Sequence, residues 1–132
     1  MSEIKVKYLG DLRTESTHMS SGHKITTDAP VDNAGLGRKF SPTDLLASSL
    51  GSCLLTIMSI VAKRHSINML DSRAEIIKTM LESPRRISKL DVSIFMPKKI
   101  DKEKMNILKR AAELCPVHAS LSKDLEINIK FS

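Results

Sequence analysis

The stretch Ser41-Pro42-Thr43-Asp44-Leu45-Leu46-Ala47-Ser48-Ser49-Leu50-Gly51-Ser52-Cys53-Leu54-Leu55-Thr56-Ile57-Met58-Ser59-Ile60-Val61-Ala62-Lys63-Arg64-His65 decides the fold. It opens as helices open. Ser41 suits the N-cap, Pro42 stands at the first helical position, and Asp44 brings acid to the positive end of the macrodipole. From Leu45 to Ala62 there are eighteen residues without a charge. That length raises a membrane span, but Ser48, Ser49, Gly51, Ser52, Thr56 and Ser59 interrupt it and no second such segment exists. A helix apolar on nearly every side is instead expected inside the protein. Ala47, Ser48, Gly51 and Ser52 fall at four-residue spacings, a smooth face that lets another helix approach. A small domain has little material to surround so long a helix, so a second copy of the chain is the expected cover. Lys63, Arg64 and His65 then close the helix at its negative end.

Upstream, Ile4-Lys5-Val6-Lys7-Tyr8 alternates with a period of two, which predicts a half-buried strand with Ile4, Val6 and Tyr8 on one side. Gly10-Asp11 makes a turn. Leu12 to Met19 predicts a second, weakly patterned strand, Ser21-Gly22 a hairpin turn, and His23 to Thr27 a third strand ending at Asp28-Ala29-Pro30. Residues 30–40 form a loop by composition, and their glycines match no nucleotide-binding spacing.

Downstream, Met69 to Glu82 and Ile87 to Met96 predict two antiparallel strands joined around Ser83-Pro84-Arg85-Arg86, with Pro97 ending the second. Asp101 caps a helix running to about Leu114, with Met105, Leu108, Ala112 and Leu114 as its apolar positions. Cys115-Pro116-Val117-His118 starts a short helix, and Leu125, Ile127, Ile129 and Phe131 finish the chain as a strand. Separated runs of strands and helices predict an α+β domain over residues 1–132: N-terminal strands and loop over 1–40, a central helix over 41–66, then strands, helices and a final strand over 67–132.

The totals narrow the function. A chain of 132 residues, 41% hydrophobic and 27% charged, suits one soluble globular domain. With one Tyr, three Phe and no Trp, the core must be aliphatic, and the seven Met are gap-fillers. The formal charge is +6. Basic residues alternate with acids and no aromatic platform accompanies them, so a solvated surface is expected and not a nucleic-acid partner. Met1-Ser2-Glu3-Ile4-Lys5 lacks the apolar core of a secretory signal, and two cysteines make no disulfide framework, which predicts reduced thiols in the cytoplasm.

Two lone thiols in such a chain are ordinarily small buried hydrophobes. Their settings differ, however. Cys53 lies mid-helix, whereas Cys115 precedes Pro116 at a helix N-terminus, where backbone N–H groups favour a thiolate or an oxidised sulfur. Ser41-Pro42-Thr43-Asp44-Leu45-Leu46 followed by Ser49-Leu50-Gly51-Ser52-Cys53 resembles the central helix of the OsmC/Ohr superfamily, and Leu114-Cys115-Pro116-Val117-His118 resembles its second cysteine motif. The element order agrees along the whole chain. The resemblance implies an OsmC-like fold: antiparallel sheets packed around a long buried helix in an intertwined homodimer. It implies reduction of organic hydroperoxides or H2O2 by Cys53, with Cys115 condensing on the sulfenic acid to a disulfide. It implies no bound cofactor, and an external dithiol or lipoylated protein as reductant.

An attacking thiolate is favoured by a nearby cation. The family places an Arg of the N-terminal strands beside the nucleophile, and Arg13 in Gly10-Asp11-Leu12-Arg13-Thr14-Glu15 matches that position best. The bland reading pairs Arg13 with Glu15 or Asp11 at the surface; Arg38, on the loop, is the competing candidate. One departure stands out. The better-studied peroxidase branches carry Glu ten residues before the cysteine; here the position is Thr43, with Asp44 next to it. Asp44 is half a turn out of phase with Cys53 and about 13 Å along the helix axis, so its expected role is capping. The wording of both motifs is closer to the less characterised branch of the superfamily. Two other readings stand beside peroxidase: a non-catalytic dimer holding a small apolar ligand between subunits, and a zinc set from Cys53, Cys115, His118 and His65, for which one Cys-x-x-His pair is weak support.

Overall fold

The computed structural model describes residues 1–96 and 100–132, so the expectation that Pro97 ends a strand falls outside the described residues. The chain divides into two compact units, 1–46 and 47–132, with the boundary inside the first turns of the long helix.

The first unit is an antiparallel meander of β1 (Ile4–Gly10), β2 (Arg13–His18) and β3 (Lys24–Asp28). The β1–β2 turn places Asp11 and Leu12 at φ 52° and 60°, the left-handed pair that matches the twist of a tight hairpin. Leu12 pays for this conformation with two anchors: its N–H reaches Tyr8 Oη at 3.3 Å, and its carbonyl accepts from Ala29 N–H at 3.1 Å. The predicted alternation of β1 is present, but the face it marks is uncovered. Ile4, Val6 and Tyr8 are 61%, 65% and 64% exposed, which corrects the half-buried expectation for the chain by itself. The loop after β3 folds tightly on its own start. Gly35 and Gly37 donate to Pro30 and Ala29 carbonyls, and a Cβ at Gly35 would lie 1.7 Å from Ala29 O, so no larger residue fits there.

The long helix α1 (Pro42–Arg64) begins as predicted. Asp44 N–H donates to Ser41 Oγ at 3.1 Å while Asp44 Oδ2 accepts from Ser41 N–H at 3.0 Å, a reciprocal cap that gives Asp44 its expected role. Within the second unit, α1 buries Ala47, Leu50, Gly51, Leu54, Met58 and Ala62, one stripe at helical spacing. Ser49, Ser52, Thr56, Ser59 and Ile60 remain exposed. Among the described residues the hydroxyl-bearing face has no cover, the side for which the sequence predicts a second copy. Gly51 also serves a different neighbour from the one expected. A Cβ there would come 2.6 Å from Ile76 Cδ1 and 3.5 Å from Ala74 Cβ, so its missing side chain lets α1 lie against a strand of the same unit.

That strand belongs to a sheet of order β4 (Arg73–Glu82), β5 (Arg85–Phe95), β6 (Glu126–Phe131). The β4–β5 hairpin closes on Ser83-Pro84 alone, Glu82 pairing with Arg85, so the two arginines expected in the turn lie in the strand. A register shift at Thr79/Met80 moves the buried phase of β5 from Ile87 to Leu90, Val92 and Ile94. The β5–β6 pair is parallel, which corrects the all-antiparallel expectation: a parallel neighbour requires a crossover, here supplied by α2 (Lys102–Ala112) and α3 (Pro116–Ser120). Asp101 caps α2 by accepting from Lys104 N–H at 2.9 Å. Its buried positions are Leu108, Ala111 and Ala112; Leu114 lies beyond the helix end and is 73% exposed, contrary to expectation.

The Gly51 contact yields a test. Gly51→Val drives two methyl groups into Ile76 and is expected to lower unfolding stability by about 1–3 kcal/mol. Pairing it with Ile76→Ala is expected to recover part of that loss in urea denaturation, because the two sites share one space.

Candidate functional site

Three residues were singled out by sequence as the reactive set: Cys53, Cys115 and Arg13. The structure brings the first two together within the second unit. Cys53 lies near enough to Cys115 to push its thiol up, and both thiols are free. Helix α1 positions Cys53 at the flank of its buried stripe, which leaves it partly exposed. Cys115 is 1% exposed and caps α3 as the Pro116 signature predicts, its Sγ accepting from His118 N–H at 3.5 Å.

The electrostatics at Cys115 overturn one expectation. A helix N-terminus favours thiolate, and the His118 and Val117 backbone N–H groups do pull in that direction. Burial is the larger effect and pushes the Cys115 thiol up, with Cys53 acting the same way. Cys115 is therefore held as a neutral thiol at neutral pH. The His118 side chain lines an open cavity of about 500 Å³ with Lys109, Ala112, Glu113, Ile129 and Phe131, and Lys109 Nζ stands 5.6 Å from the Phe131 ring centre. Among the described residues no three His, Cys, Asp or Glu side chains converge as metal ligands.

Arg13 lies in the first unit. Its side chain is 36% exposed and its Nη2 stands 4.0 Å from Asp11, the surface pairing considered at the outset. Its Nε, in contrast, is buried and has no hydrogen-bond partner among the described residues. Arg38, the competing candidate, is fixed more firmly. Its Nε donates to Asp28 Oδ2 at 2.7 Å and its backbone N–H to the same oxygen at 3.2 Å. Asp28 was passed over by the sequence reading as a strand end. It is 1% exposed, and its N–H donates to the Phe40 carbonyl at 3.1 Å. The Arg38 hydrogen bond holds its carboxyl below the usual carboxylate range, with Arg13 adding to the effect, against the opposing push of burial. No local pattern marked Asp28; the only sequence hint was an arginine ten residues on, across a glycine-bearing loop.

Two pH responses follow. A carboxyl lowered in the folded state contributes stability that is complete above its ordinary pKa and is lost as pH falls through the lowered one. Asp28→Asn is thus expected to reduce stability at neutral pH and to flatten the acid limb of the unfolding profile, measured by urea midpoints from pH 7 down to pH 2. For the thiols, iodoacetamide is expected to label Cys53 first. Cys115 labelling is expected to rise only above the pH at which an unfolded cysteine reacts, as peptide mass spectrometry of timed samples would show.

Comparison with known proteins bears on this arrangement. A protein from Psychrobacter arcticus 273-4, assigned to the osmotic stress induced and detoxification response, superposes with a TM-score of 0.95 at 42% identity, over 100% of this chain and 96% of that one. An organic hydroperoxide resistance protein OsmC from Legionella pneumophila gives 0.80 at 16% identity, over 100% and 96%. The organic hydroperoxide resistance protein OhrB of Bacillus subtilis gives 0.71 at 19%, over 100% and 98%; these two share the fold. No curated protein matches the sequence. The profile of the family described as OsmC-like protein matches residues 35–130, a span holding both cysteines and Arg38, and the chain belongs to that family.

Proposed function

We propose that the protein is a thiol peroxidase that reduces organic hydroperoxides, with H2O2 as a further substrate, through Cys53 and Cys115. The observation that carries the reading is the nearness of the two cysteines, one partly exposed and the other buried with its thiol pushed up. The Cys53 thiolate attacks the terminal peroxide oxygen. An S–O bond forms and the O–O bond breaks, the sulfur loses two electrons, and the alkoxide leaves and takes a proton to become alcohol. The Cys115 thiol then condenses with the Cys53 sulfenic acid. An S–S bond forms, the S–O bond breaks, and the hydroxyl leaves with the Cys115 proton as water. A dithiol of the lipoyl type, free or protein-borne, returns both sulfurs to thiols by exchange. Relatives named for organic hydroperoxide resistance support this reading.

The same reading assigns Arg13 as the cation that favours the Cys53 thiolate. It takes the working form to be a cytoplasmic homodimer without bound metal or cofactor and without nucleic-acid or membrane partners. The exposed apolar residues of β1 and the exposed Leu70 and Ile77 (73% and 69%) support a second copy as their cover.

Stoichiometric tert-butyl hydroperoxide is expected to convert the reduced protein to a Cys53–Cys115 disulfide, seen as loss of two alkylatable thiols. Cys53→Ser is expected to abolish turnover with dihydrolipoamide; Cys115→Ser is expected to stop at a trapped sulfenic acid. Two free thiols after peroxide treatment would end the proposal.

A further inference from the structure

The crossover of the second unit breaks between α2, which ends at Ala112, and α3, which begins at Pro116. Beside the break lies the open cavity of about 500 Å³, a volume in the range of small-molecule sites, about 300–1,000 Å³. Its apolar lining is Ala112, with Ile129 and Phe131 from one side of β6, both half-buried. Its polar lining is one cation, one acid and one imidazole: Lys109, Glu113 and His118.

Among the described residues, none of these three polar side chains has a hydrogen-bond or ion-pair partner. Lys109 and Glu113 stand four residues apart on α2, where side chains meet, but a cation placed N-terminal to the acid is the weaker orientation. Lys109 lies instead toward the Phe131 ring, with Nζ 5.6 Å from its centre, close to the outer limit of such a contact. Two opposite charges are thus left uncommitted beside an apolar surface. A carboxylate suits Lys109 and the His118 ring, which offers an N–H in either neutral tautomer. An ammonium suits Glu113. A simple anion would be repelled by Glu113 and a simple cation by Lys109, whereas a molecule carrying both charges satisfies each side chain.

We propose that this cavity binds a small zwitterion with an apolar side chain, a molecule of the α-amino acid type. Lys109 and His118 take its carboxylate, Glu113 takes its ammonium, and Ile129 and Phe131 take its side chain. None of these side chains has a part in the proposed peroxide chemistry. The site therefore goes beyond that reading and does not depend on it.

The test is titration of the full, reduced chain with L-phenylalanine, followed in amide NMR spectra. Saturable shifts are expected at residues 109–118 and 129–131. Phenylpropionate, which lacks the ammonium, and phenethylamine, which lacks the carboxylate, are each expected to bind about ten-fold more weakly, the size of one lost hydrogen bond to a charged group. Glu113→Gln is expected to weaken L-phenylalanine and not phenylpropionate. Lys109→Met is expected to weaken L-phenylalanine and not phenethylamine. Both side chains are exposed, so the two variants are expected to keep the fold, checked by unchanged amide shifts elsewhere. No saturable shift with L-phenylalanine, shifts that map to other residues, equal binding of the singly charged analogues, or unchanged affinity in either variant would overturn the site. The two readings fail separately: peroxide treatment reads the Cys53–Cys115 disulfide, and the amino-acid titration reads the cavity.

Discussion

The nearness of Cys53 to Cys115 is the constraint on which the proposed chemistry depends. Neither sulfur is placed by its own neighbours in sequence. Cys53 is where it is because α1 lies flat on β4, which the missing side chain of Gly51 permits beside Ile76 and Ala74. Cys115 is where it is because the chain must cross from β5 to a parallel β6, and the crossover ends α2 just before Pro116 begins α3. A helix–sheet contact and a topological crossover thus converge on one pair of atoms.

The difference between the settings of the two thiols comes from burial more than from dipoles. Cys115 receives the backbone donors of a helix start, the usual recipe for a reactive thiolate, and still has its pKa raised because it is almost wholly out of water. A buried thiol beside a more accessible one is compatible with the second step of the proposed reaction. The first unit shows the opposite balance. Asp28 is equally buried but keeps its charge, because the Arg38 side chain and backbone both donate to it. Desolvation dominates where no countercharge stands, and yields where a guanidinium does.

The exposed apolar residues have a common origin. In β1 and along the outer face of α1, the sequence carries patterns that ordinarily mark buried surface, yet Ile4, Val6, Tyr8 and Ile60 stand in solvent in the single chain. The hydrophobic effect acts on any surface that another apolar surface can cover, whether or not it belongs to the same chain. In the proposed homodimer a second copy would cover this pattern.

The sequence by itself determined the elements: the cap and start of α1 from Ser41, Pro42 and Asp44, its end at Lys63 and Arg64, the Asp101 and Pro116 helix starts, and the alternation of Leu90, Val92 and Ile94. These are legible because caps, helix starts and strand periods are local, set by residues a turn apart. It also carried the family resemblance, since motif and order along the chain suffice for that. Only the tertiary structure decided that β6 runs parallel to β5, that Gly51 faces a strand and not another helix, that Leu114 is exposed, that Cys115 is held as a thiol, and that Asp28 is a buried ion. Each of these depends on partners ten to fifty residues away, where spacing along the chain no longer fixes distance in space. The protonation of a side chain in particular is a property of the solvent it has lost and the charges it has gained, and neither is written next to it.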